Sequence, residues 1–225
     1  RMQNNTQIRG IHQAMVMFAQ SNRSNFPGMD GGGQLLDATG NGGDAGDFQS
    51  GTVGETPSRR LAILLNGNFF TPEYIISPTD TNKEEWTPND GTGTPTDVLD
   101  HYSYAMLQIG DGSGNKTDGT RPQEWSETLN TEAIVIGDRA MSDGTDIYSV
   151  HTGEESADWR GGLAHNDNSV AFETDHEQSA RYGSGPLDTW HMFADEAGID
   201  NSGNAEDGGW LVYSGAADQW SDNTP

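Results

Sequence analysis

Not one of the chain's 225 residues is a cysteine, which excludes disulfides, thiol catalysis and cysteine-ligated zinc or iron–sulfur centres. Cations are scarce as well. Eleven Lys and Arg stand against 35 Asp and Glu, a formal net charge of −24, and a surface of that sign repels nucleic acid and anionic lipid. No stretch of 18 apolar residues is present, the length a membrane-crossing helix needs, and no signal peptide is found. Hydrophobic residues make up only 32% of the chain. Trp, Phe and Tyr are nevertheless spread along it, which argues for a folded core rather than disorder.

Carboxylates, glycine and short polar residues are what the chain has in excess. Thirty glycines among many Asn, Asp, Ser and Thr point to long loops and turns. A chain of this length buries one good core, or a core with a small appendage. The excess of carboxylates favours solubility and offers ligands to divalent cations; a salty habitat explains it equally well.

Arg1 to Gln20 reads as a helix. Ile8, Ile11, Met15 and Phe18 recur with helical spacing and form one apolar stripe, with Met17 on the opposite side. No capping residue stands ahead of Arg1, whereas Pro27 and Gly28 forbid continuation at the other end. A helix with an end and no start carries the expectation of an upstream piece that was removed or not included. Gly/Asp-rich loop follows from Met29 to Pro57. The next helix is expected over Ser58 to Asn66, with Thr56 as N-cap, Pro57 in the first turn and Gly67 as its close. Tyr74 to Ile76 is expected to be extended, and Thr79 to Thr96 to be loop. Strands are expected at His101–Leu107, Ala133–Ile136 (central, ended by Gly137-Asp138), Ser169–Thr174 and Trp210–Tyr213. Helices first and strands later predict an α+β fold: a long N-terminal amphipathic helix packed on an antiparallel β-sheet, with long Gly/Asp-rich loops.

Two loops place oxygen side chains at alternate positions, the spacing that turns successive ligands onto one hard cation. They are Asp111, Ser113, Asn115 and Asp118, and Asp200, Ser202, Asn204 and Glu206. Neither completes the calcium loop with a bidentate Glu at its twelfth position, so calcium and a plain solvated turn stand as alternatives. Asp37, Asn41, Asp44 and Asp47 form a weaker third set. His165, Asp167, Asp175 and His176 have the ligand types of a zinc or iron site, against a reading in which His165 only fixes a turn by hydrogen bonding. Asp138 and Arg139 pair either as an active-site clamp or, more simply, as a structural ion pair. No nucleophile elbow or phosphate loop stands out.

Several patterns in order resemble bacterial prepilin-type proteins. Gln3 to Ala14, with Phe18-Ala19-Gln20 and Phe26-Pro27-Gly28, is similar to the stretch after their membrane helix. Leu64-Leu65-Asn66-Gly67 with Ile75-Ile76-Ser77-Pro78, Ser103 to Met106 and Val135 to Arg139 follow in the same order. Trp159 to Gly162, His165 to Asn168 and Val170 to Glu173 look like their late sheet region. Planctomycete-type members carry His, nine residues and Asp-Gly there; His165 and Asp175 keep that spacing, and His176 replaces the Gly. The resemblance covers roughly residues 1 to 185. It implies a type IV pilin or pseudopilin fold, with residues 1–28 as the C-terminal part of the pilin helix and 29–225 as a single globular head. It further implies export as a prepilin to the envelope or exterior, a missing apolar helix as the only membrane link, other pilins or copies of itself as partners, no enzymatic activity, and calcium in loops beside the sheet. A secreted metal-dependent binding or hydrolytic domain is the alternative.

Overall fold

The apolar stripe of the first helix needs a surface to cover, and an antiparallel sheet supplies it. A computed structural model of the chain describes residues 1–36, 54, 56–86, 98–110, 116, 120–142, 147–152, 159–185, 187–188, 192–193 and 210–213. Helix α1 spans Met2–Ser21 and α2 spans Pro57–Asn66. The strands are β1 (Tyr104–Leu107), β2 (Ile134–Asp138), β3 (Met141–Ser142), β4 (Ile147–Tyr148), β5 (Gly161–His165), β6 (Val170–Glu173), β7 (Ala180–Arg181), β8 (Leu187–Asp188) and β9 (Leu211–Val212). Five of them form one antiparallel sheet in the order β6-β5-β2-β1-β9. β3 pairs with β4 and β7 with β8 in two small ribbons. The fold is α+β, one N-terminal helix packed on an antiparallel five-stranded sheet.

Within α1, Ile8, Ile11, Met15 and Ala19 are fully buried. Phe18 is half-buried and meets the Phe69 ring edge-on at 6.2 Å. The helix ends earlier than Pro27 and Gly28 require: Arg23 and Ser24 take left-handed φ values of 52° and 67°, and the Ser24 amide donates back to the Ala19 carbonyl. A left-handed residue just past the last turn stops a helix by itself. α2 has the expected start, with Thr56 Oγ1 accepting from the Arg59 amide and Pro57 in the first turn.

α1 lies over β5, β6 and β2, and it passes close over Gly162. A Cβ there would stand 2.7 Å from both Ile8 Cδ1 and Asn5 Oδ1, so a residue without a side chain lets the helix down onto the strand. β1 and β2 are buried along their whole length, so the centre of the sheet is covered on both faces. Ala105, Leu107, Val135 and Leu163 share one core with Trp159, Tyr182, Phe193 and Trp210. α2 contributes Arg60, which is fully buried yet well partnered. Its Nε donates to the Gly54 carbonyl at 2.9 Å and its Nη1 to the Leu107 carbonyl at 2.6 Å, while its guanidinium lies 4.6 Å from the centre of the Trp125 ring.

Two expectations are corrected. Tyr74 and Ile75 are not extended: Pro72–Ile75 forms a 3-10 turn, because Pro72 presets a helical φ at its start, and only Ile76 takes extended backbone angles (φ −108°, ψ 124°). The strand expected from His101 begins at Tyr104, and His101 closes a separate 3-10 turn, Val98–His101.

Candidate functional site

Two features of α1 stand out, a polar clasp under its first half and a groove beside its second half. In the clasp, Tyr104 and Asp138 are cross-strand partners, and both reach the helix. Asn4 Nδ2 donates to Asp138 Oδ2 at 2.7 Å, and the Gly162 amide donates to the same oxygen at 2.6 Å. His151 Nε2 lies 3.0 Å from it. Ser77 Oγ donates to Asn4 Oδ1 at 2.8 Å and lies 3.0 Å from Thr79 Oγ1, which is 3.2 Å from His151 Nδ1. The bonds close a ring: Asp138, Asn4, Ser77, Thr79, His151 and back to Asp138. Gln7 extends it, donating to the carbonyls of Ile76 and Glu73 and accepting from the Tyr104 hydroxyl.

Carboxyl, imidazole and hydroxyl in sequence is the order of a general-base relay. In this ring the Thr79 hydroxyl is bound back into the structure through Ser77, and the oxygen facing His151 is the one that anchors the helix. The arrangement holds parts of the fold together.

Asp138 and Arg139 therefore do not pair with each other, contrary to both readings of them as a pair. Adjacent residues at a strand end point to opposite sides: Asp138 turns to α1, and Arg139 turns to Asp80, with Nε–Oδ2 3.0 Å and Nη2–Oδ1 3.1 Å. Ser103 Oγ donates to the same carboxyl. Beside this pair, burial pushes the Lys83 amine down to about 8, and its Nζ donates to the Leu99 carbonyl at 2.7 Å.

The set His165, Asp167, Asp175 and His176 is spread apart. β5 and β6 pair with Ala164 opposite Val170 and Gly161 opposite Glu173. His165 and Asp167 thus lie at the turn of this hairpin, whereas Asp175 and His176 follow Glu173 at its other end. Burial lowers the His165 pKa; Asp167 Oδ1 accepts from the Ser169 amide and hydroxyl, which stiffens the turn. Among the described residues, no three His, Asp or Glu side chains group to hold a metal ion. Asp111, Ser113, Asn115, Asp118, Asp200, Ser202, Asn204 and Glu206 lie outside the described residues, as do Asp37, Asn41, Asp44 and Asp47.

The groove runs along the second half of α1 and measures about 350 Å³. Val16, Met17 and Leu129 form its apolar wall, His12 lies at its buried side, and Glu127 and Asp167 contribute the carboxylates. Met17 is 58% exposed and Leu129 65%. The His12 side chain is itself fully buried: its Nδ1 is 3.2 Å from Asn168 Oδ1, its ring meets Phe26 edge-on at 5.7 Å, and burial pushes its pKa down to about 4. Its Nε2 has no hydrogen-bond partner among the described residues.

Sequence reading singled out neither the clasp nor the groove. A signal was present, since Asn4 and Gln7 of the clasp and His12 of the groove fall on the same helical face as Ile8, Ile11 and Met15; polar residues on an apolar stripe need partners when buried. Leu129 carried no comparable signal, because only folding brings residue 129 beside residue 17.

No protein-family model matches the chain, and no curated protein or solved structure does either.

Proposed function

We propose that the chain is a pilin-like structural subunit that assembles with copies of itself or with related subunits into an envelope or extracellular filament, without enzymatic activity. One observation carries the reading. The outward face of α1 is a continuous stripe of Met2, Thr6, Arg9, Gln13, Met17 and Gln20, all exposed. It contains no carboxylate, in a chain with 35 of them. Two copies of a molecule with net charge −24 repel each other, so a face free of acid is where close approach costs least. Met2, at 87% exposure, and Met17 put apolar surface on that face, as an association surface requires. The α+β layout and the order of motifs from residue 1 to about 185 support the same reading.

The test is the full natural chain, expressed with whatever its reading frame encodes upstream of Arg1. A leader ending in Gly before an apolar segment, and filaments under the electron microscope, are the expected results. An ordinary secretory signal, with a protein that stays monomeric and turns over a substrate with loss on mutating His165 or Asp175, would replace this reading with that of a secreted hydrolytic domain. Calcium is a separate proposal, supported by the alternating oxygens of Asp111 to Asp118 and Asp200 to Glu206. Calcium binding to the folded state raises the melting temperature by mass action; an unchanged melting temperature with and without chelator removes it.

A further inference from the structure

The outward stripe of α1 differs in character between its two ends. Its first half presents Arg9, an exposed cation that no hydrogen bond or ion pair holds among the described residues. Other cations are engaged: Arg1 stacks on the Phe172 ring, Arg181 pairs with Glu132 and Lys116 donates to the Gly33 carbonyl. Beyond Gln13 the stripe borders the groove, where Glu127 and Asp167 stand beside the apolar wall of Met17, Val16 and Leu129. We propose that these two ends meet between copies of this chain, with Arg9 of one copy seated in the groove of the next. Its guanidinium would lie against Glu127 and Asp167, and its aliphatic stem along Met17 and Leu129.

Charge selects the occupant. A groove bordered by carboxylates on an acidic protein admits a second copy only through a cationic, acid-free segment. An Arg side chain suits both parts of the groove, since its stem covers apolar surface while its head pairs with carboxylates. Made in one direction only, the contact is heterologous and propagates as an open helical array; made reciprocally about a two-fold axis, it would close as a dimer, and a cross-linked species that stops at two copies would overturn the filament contact. The inference rests on the filament reading and gives it a specific contact.

The cysteine-free chain makes the test direct. Single substitutions Thr6→Cys, one turn before Arg9, and Leu129→Cys are placed in separate copies of the full natural chain, which are mixed and oxidised. Disulfides linking one variant to the other are expected, with few from either variant alone. Glu127→Arg or Arg9→Glu should each cut the cross-linked and assembled fraction at least about tenfold, as like charges face each other, and the double variant should recover it. Filaments unaffected by Arg9→Glu, or cross-links mainly from Leu129→Cys alone, would overturn the contact and leave the filament reading standing. A parent chain that never assembles would overturn both.

Discussion

The inner and outer faces of α1 use similar residues to opposite ends. Both carry methionine and amides. On the inner face Met15 is fully buried among Ile8, Ile11 and Ala19, and Asn4 and Gln7 are matched to specific partners in the clasp. On the outer face Met2 and Met17 are exposed, and Gln13 and Gln20 face solvent. Buried amides cost stability unless every bond is made, so the inner face fixes register as well as adhesion. The outer face has no such demand within the monomer, and its composition is free to serve a partner. The lesson concerns energetics: substitutions on the inner face should be read in stability, and those on the outer face in assembly.

The largest expected break is at the clasp. Asp138→Ala strips the acceptor from Asn4, the Gly162 amide and His151 together, leaving buried donors unpaired, and should cost about 4 kcal/mol in urea unfolding. Next is acid titration of His12. Its folded pKa of about 4 lies below the ordinary 6.5, so the unfolded chain takes up the proton first. Stability should therefore fall as pH drops from about 6.5 to about 4 and change no further through this group below that. The loss is on the order of 3 kcal/mol. Comparing unfolding midpoints of the parent and His12→Gln across that window isolates it; a parallel decline in both would remove His12 as the cause. Gly162→Ala should cost about 2 kcal/mol, since Ile8 Cδ1 can swing aside only in part. Smallest is Met17→Thr, expected to shift stability by less than about 0.5 kcal/mol while reducing assembly of the full chain. A large loss of stability there would mean that the outer face is part of the core after all.

Elements whose pattern is local were legible in the sequence. The stripe of α1, the Thr56-Pro57 start of α2 and the apolar run ending at Gly137-Asp138 each signal their structure within ten residues or so. β5 was not read as a strand from its pattern, because Gly161-Gly162-Leu163-Ala164-His165 has neither alternation nor β-branched residues. Its Gly162 answers to the helix lying across it, and that requirement is invisible along the chain. The Pro72 turn was missed because Tyr74 and Ile75 are strand-forming residues, which the proline overrode, leaving only Ile76 extended. The site was less legible than the fold. Asp138 and Arg139 were noticed as a pair since they adjoin, yet strand alternation gives them separate partners. The groove joins residues 12 to 17 with 127 to 129 and 166 to 168, a juxtaposition no spacing announces.

The single oxygen of Asp138 that receives bonds from Asn4 and the Gly162 amide also sets a timetable. Within these 225 residues α1 is made before the sheet, and β5, the strand that covers it, is complete only after residue 165 has been added. At roughly 5–20 residues per second, Ile8 and Ile11 wait on the order of ten to thirty seconds for their cover. During that interval the helix can meet α2 and the Pro72–Ile75 turn, but not the strands β5 and β6 that it lies over. A nascent chain halted before residue 161 should therefore expose the stripe to proteases and chaperones, and one released past residue 173 should protect it.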